Sequence, residues 1–199
     1  MRILVATDAW HPQINGVVRS LEHMAREAPA FGAELAFVTP LDFRSLPMPG
    51  YPEIRLALAG PRAMTRLLDR LEPTHVHIAT EGPIGWAARA ACRARGRAFT
   101  TSYHTRFPEY AAARWPVPPA WSYAVLRRFH EAGRATLVST PSLAAELSAR
   151  GFRRLRPWSR GVDTGLFAPR AGADLPYPRP IFLSVGRLAV EKNLEAFLG

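Results

Sequence analysis

Residues 2–16 read Arg2-Ile-Leu-Val-Ala-Thr-Asp-Ala-Trp-His-Pro-Gln-Ile-Asn-Gly16. The run Arg2 to Thr7 has the composition of a short buried strand. The residues Asp8 to Gly16 form a loop. Beyond it Val17, Val18, Leu21, Met24, Ala25 and Ala28 recur at helical spacing. A strand, a loop and a helix at the start of a chain open a doubly wound α/β sheet of Rossmann-like type. The loop lacks G-x-G-x-x-G, which argues against a nicotinamide or flavin site. Gly16 stands where the helix begins. A residue without Cβ there allows backbone amides to approach a phosphate, although turn chemistry alone also explains it.

The same alternation continues along the chain. Leu35 to Val38 is strand-like, and the Pro-rich stretch Pro40 to Pro52 reads as a surface excursion. A further strand over Ile54 to Leu58 precedes a helix that starts at Gly60-Pro61. Val76 to Ala79, Phe99 to Ser102 and Thr136 to Ser139 are strands, and Ile84 to Arg95 is an Ala-rich helix. Thr140-Pro141 is a helix cap followed by proline at the first helical position. This order predicts a parallel sheet covered on both faces. Ligands of such sheets bind beyond the carboxyl ends of the strands, which selects Asp8 to Gly16, Thr80 to Gly82 and Thr101 to Phe107.

Near the other end lies Ile181-Phe-Leu-Ser-Val-Gly-Arg-Leu-Ala-Val-Glu-Lys-Asn193. It reads as a strand over Ile181 to Val185, a turn at Gly186 and a helix opening near Lys192. Arg187 and Lys192 flank the start of that helix, where free amides and the dipole already favour an anion. Lys192 is the only lysine beside 25 arginines. That exception suits a site needing a compact point charge, though chance explains a single residue equally well.

These residues resemble the retaining glycosyltransferases of family 4, which have the two-domain GT-B fold. The resemblance extends to the E-G-x-x-G run at Glu81 to Gly85, to the T-x-H-T-like segment at His104, and to Gly161-Val-Asp163. Ser159-Arg160 stand before Gly161 in place of the family's usual residues, and Val190 replaces a common proline. The resemblance implies that Gly16, Arg187 and Lys192 bind the donor diphosphate. It also implies that His104 is the catalytic-site histidine that reaches the donor sugar. Asn15, Glu81 and Asp163 are candidate substrate contacts; Glu81 is as readily explained by the positive end of the following helix. The expected organisation is an acceptor-side Rossmann-like domain over residues 1–165, the N-terminal half of a GT-B fold. A linker at 166–180 and the first elements of a donor-binding domain at 181–199 follow. The family's second domain continues much further and carries an E-x7-E segment with no counterpart here. This predicts an incomplete enzyme, inactive as an isolated 199-residue chain.

Composition narrows the setting. One cysteine, Cys92, excludes an internal disulfide, and its Ala-rich surroundings favour a packed thiol. The N-terminus reaches Asp8 too soon for a signal peptide, and no apolar run approaches the roughly 18 residues of a membrane span. A cytoplasmic protein is predicted. Net charge is +10, divided as +3 over residues 1–100 and +7 over 101–199. That excess suits an anionic partner or an Arg-rich solvated surface. Arg114 to Phe129 mixes Trp115, Trp121, Tyr123 and Phe129 with Arg114, Arg127 and Arg128. The mixture fits an anionic bilayer interface or simple packing; no nucleic-acid fold is visible, and none is expected as a partner. With no Asp-x-Asp and no Cys/His ligand spacing, neither a metal nor another cofactor is expected.

The function predicted is sugar transfer, with retention, from a nucleoside-diphosphate sugar to an acceptor. The resemblance implies GDP-mannose as donor and a membrane lipid as acceptor, with peripheral attachment at the inner face of the plasma membrane. The alternatives are a sugar-nucleotide epimerase or hydrolase of the same fold, and a non-catalytic basic binding module.

Overall fold

The computed structural model describes residues 1–48, 51–109, 116–169, 176–186 and 194–198. Its centre is a six-stranded parallel sheet with the order β2-β1-β5-β6-β7-β8. The strands are β1 (Arg2–Ala6), β2 (Glu34–Val38), β5 (His75–Ile78), β6 (Thr100–Ser102), β7 (Ala135–Val138) and β8 (Leu155–Pro157). The crossovers include α1 (Gly16–Glu27), α2 (Pro61–Leu71), α3 (Pro83–Ala94), α4 (Pro119–His130) and α5 (Pro141–Ala149). This is the Rossmann-like, doubly wound arrangement expected of half a GT-B fold.

Alternation along β1 explains why both faces are covered. Leu4 and Ala6 belong to a core with Val76, Ile78, Met64, Leu68 and Phe129. Val5 points to the other face and packs with Leu21 of α1 and Ala79. Parallel strands buried on both faces need such continuous apolar runs. Helix α3 buries Ala87, Ala88, Ala91 and Cys92, whose small side chains allow it to lie close against the sheet. A third apolar group, with Tyr103, Tyr123, Leu126, Leu147 and Phe152, joins α4 and α5 to the β6–β8 end.

The structure departs from the sequence reading in three places. The Pro-rich excursion contains an antiparallel hairpin of β3 (Ser45–Met48) and β4 (Tyr51–Ala57). Pro47 is accommodated because this two-stranded ribbon leaves every strand an edge. Residues 155–157, for which the sequence suggested no strand, form β8, the outer strand of the main sheet. The predicted strand Ile181 to Val185 is not a strand. Among the described residues nothing pairs with it, and Phe182, Leu183 and Val185 are exposed. A strand without a neighbour has no ladder to stabilise it. A short helix, α6 (Glu195–Leu198), follows. The predicted helix opening near Lys192 lies outside the described residues.

Candidate functional site

The carboxyl ends of β1, β5, β6 and β8 converge on one edge of the sheet. The loop after β1 is pinned there by its own polar groups. Gln13 Nε2 donates to the Asp8 carbonyl at 3.1 Å, and Asn15 Nδ2 donates to Gln13 Oε1 at 3.0 Å. Asn15 also caps α1, its Oδ1 accepting the Val17 and Val18 amides at 2.9 and 3.1 Å. Asn15, a candidate substrate contact, is therefore engaged as a helix cap. Gly16 follows as the first residue of α1 and is exposed.

Asp8 ties this loop to the next. Its Oδ1 accepts the Ile84 amide at 2.8 Å, while Oδ2 accepts the Thr80 hydroxyl at 2.7 Å and the Gly85 amide at 3.3 Å. The carboxylate thus caps α3 from outside, where Gly82 at the N-cap has no side chain to do so. Burial raises the Asp8 carboxyl above its ordinary value, opposed by those hydrogen bonds.

Glu81, next along, meets a residue that the sequence did not single out. His130, the last residue of α4, is fully buried, with Nε2 3.1 Å from Glu81 Oε1 and Nδ1 2.8 Å from Thr101 Oγ1. It bridges the β5 and β6 edges. Its position depends on a helix end folding onto the sheet edge, and local spacing carries no signal of that.

His104 follows β6. Its Nδ1 lies 3.0 Å from Arg160 Nη2. Guanidinium only donates, so Nδ1 accepts and the neutral ring carries its proton on Nε2. That Nε2 atom is buried and has no hydrogen-bond partner among the described residues. Burial foremost, then the charges of Arg160, His77 and His130, push the His104 pKa down to about 3. The ring is therefore neutral near pH 7. Trp158 lies edge-on to it at 5.5 Å between centroids.

Arg160 is the second residue that sequence reading missed; it registered only as a departure before Gly161. Its Nη1 lies 3.5 Å from where a Cβ on Gly16 would sit. It also lines a groove of about 520 Å³ with Arg19, His23, Arg26, Asp163 and Phe167. Asp163 stands in that groove with Oδ1 accepting the Gly165 and Leu166 amides, both at 3.0 Å. The structure therefore brings Gly16, His104 and Arg160 together, and sets Glu81 with His130 on the same sheet edge. Arg187 and Lys192 lie outside the described residues.

A parallel sheet with this edge is consistent with one half of a GT-B fold, and comparison with known proteins makes the class definite. The family description "Glycosyltransferase Family 4" matches residues 14–166, and the chain belongs to that family. It is 33% identical to a sulfoquinovosyl transferase of Arabidopsis thaliana, over 76% of this chain and 32% of that protein. It is 28% identical to a GDP-mannose-dependent alpha-mannosyltransferase of Mycobacterium tuberculosis, over 100% of this chain and 59% of the relative. A protein of the same description from Mycolicibacterium smegmatis is 27% identical, over 98% of this chain and 58% of its own length. The chain thus spans between a third and three fifths of these relatives.

Proposed function

We propose that this chain is the acceptor-side part of a retaining glycosyltransferase. The complete enzyme moves a sugar from a nucleoside-diphosphate donor to an acceptor. The observation that carries this reading is the grouping of Gly16, His104 and Arg160 at the carboxyl edge, inside the region matched to family 4. In this reading the diphosphate lies over Gly16, where α1 begins and the helix dipole favours an anion. His104 donates from Nε2 to the donor sugar. Arg187 and Lys192 offset the charge that grows on the leaving diphosphate, the largest electrostatic demand of the reaction. Asn15, Glu81 and Asp163 serve this reading by shaping the pocket, since each is held by groups of its own. No resident metal or other cofactor takes part.

The two mannosyltransferase relatives named above support GDP-mannose as donor. A lipid acceptor at an anionic membrane face is supported by α4. Trp121 is 71% exposed and Val125 53% exposed, on the same helical face as exposed Arg128. Tyr123, Leu126, Phe129 and His130 are the buried residues of α4, which leaves Trp121 and Val125 on its outer face. An apolar aromatic beside arginine suits the headgroup region. Among the described residues no helix is long and apolar enough to cross a membrane, and the reading places the enzyme peripherally at the inner face of the plasma membrane. Residues 1–165 form the acceptor-side domain in this account, with a linker at 166–180 and the donor domain from 181.

The test is transfer of labelled sugar by a chain extended to the length of its relatives. GDP-mannose and UDP-sugars are each supplied with anionic lipid vesicles. Label moving from GDP-mannose into the lipid fraction supports the proposal. Free sugar alone or an epimerised donor, with no acceptor product, overturns it.

A further inference from the structure

Arg160 has no assigned task, yet it touches both residues of the N-terminal domain that the proposed site depends on. It reaches them from the segment after β8, across the edge of the sheet. One terminal nitrogen donates to His104 Nδ1 at 3.0 Å. The other stands 3.5 Å from the Cβ position of Gly16. Three facts bear on what this contact does. A guanidinium has five donors, no acceptor and no accessible neutral form near pH 7. The ring nitrogen facing it must therefore be bare. The opposite nitrogen, Nε2, is buried without a partner among the described residues.

An unpaired buried donor is costly, on the order of 1–3 kcal/mol, and its persistence calls for a reason. A free imidazole could escape by moving its proton to the other nitrogen, which would then face solvent or a neighbour. Arg160 closes that route, because a proton on Nδ1 would point into a cation. The other groups bearing on the ring also disfavour a second proton: His77 comes from β5 and His130 from the end of α4. Trp158 covers the ring edge-on from the same segment as Arg160, so a single stretch after β8 holds the ring in both orientation and tautomer.

We propose that Arg160 is a positioning residue that holds His104 as its neutral Nε2–H tautomer, so that the ring offers the substrate a hydrogen-bond donor and not a base. The inference rests on the reading of His104 as substrate-facing only for its catalytic consequence; the tautomer itself is a property of the chain. The partner that satisfies Nε2–H is an oxygen lone pair, as on a sugar hydroxyl. Because Arg160 is exposed and belongs to no core cluster, its replacement leaves the fold in place. Its Nη1 lies near Gly16, so an anion there would tighten the same contact.

Long-range proton–nitrogen correlation spectra of the 15N-labelled chain, recorded from pH 5 to 8, read the tautomer directly. The wild type is expected to show a bare Nδ1 and a protonated Nε2 throughout. Arg160→Ala is expected to mix the tautomers, with a measurable share of the ring carrying its proton on Nδ1 across that range. Arg160→Lys, which keeps a charged donor, should restore most of the wild-type pattern. A wild-type ring protonated at Nδ1, or an Arg160→Ala spectrum identical to wild type, overturns the inference. Turnover in the extended transferase separates this from the proposed function. Normal turnover by His104→Ala overturns the catalytic reading while the spectra still decide the tautomer. If His104→Ala is impaired and Arg160→Ala still slows it further by the full single-mutant factor, Arg160 acts on the donor itself and the positioning role is wrong.

Discussion

Asp8 caps a helix that lies 76 residues further along the chain: its Oδ1 accepts the Ile84 amide at 2.8 Å. The approach is possible because Gly82 has no side chain, since a Cβ there would stand 2.5 Å from Asp8 Cγ. The contact fixes the β1 loop, which leads to Gly16, against the β5 loop, which carries Glu81. Asp8→Ala strands the Ile84 and Gly85 amides and should cost about 2 kcal/mol. Gly82→Ala should destabilise comparably by pushing the carboxylate off its donors. Urea unfolding of both variants measures this; midpoints equal to wild type would contradict the assignment.

Two buried imidazoles predict how stability varies with pH. His77 sits between Thr100 and Ser102, each ring nitrogen 2.8 Å from a hydroxyl oxygen, and burial lowers its pKa to about 4. His104 is lowered to about 3. Both are neutral when folded at pH 7, whereas unfolded imidazoles bind protons below about pH 6.5. The unfolded state therefore takes up more protons in that interval. Stability from these rings is complete above pH 6.5 and is lost as pH falls toward 4 and 3. The loss should be on the order of 3 kcal/mol for His77. Asp8 acts oppositely, because a raised carboxyl loses stability as pH rises past its ordinary value of 3.8. Unfolding at pH 7 and pH 4.5 should show a clear drop at the lower pH, smaller in His77→Gln. An unchanged midpoint would refute the account.

Arg89 ties two helices together from inside the protein. Its Nε and Nη2 donate to the Phe129 and Arg128 carbonyls at 3.2 and 2.9 Å, and its guanidinium lies 5.1 Å from the Trp86 ring centroid. The last carbonyls of α4 thereby gain donors, and His130 is held at the sheet edge. Arg89→Ala should destabilise the chain by about 2–3 kcal/mol and disturb the His130 resonances. Retention of both stability and those resonances would show that the tie is unimportant.

Much of the fold was legible because its signals are local. Asn15-Gly16, Gly60-Pro61 and Thr140-Pro141 mark helix starts that the structure places at α1, α2 and α5. Strand β8 was hidden because Leu155-Arg-Pro157 alternates too briefly to register, and the sheet supplies its pairing. Ile181 to Val185 misled for the converse reason: its apolar run is strand-like, yet no described strand lies beside it. His104 could be selected from its place after a strand. Arg160 and His130 could not, because their roles depend on β8 and the end of α4 meeting that same edge. Trp121 and Val125, read as either packing or interfacial residues, are exposed, whereas Phe129 packs.

The central proposal is that the Gly16–His104 edge meets a diphosphate sugar whose leaving charge Lys192 offsets. Donor turnover by the extended transferase tests it most directly, with wild type, His104→Ala and Lys192→Ala compared under identical conditions. The account predicts losses of roughly a hundredfold or more for Lys192→Ala, with a substantial loss for His104→Ala. Near-wild-type turnover by both variants would contradict it.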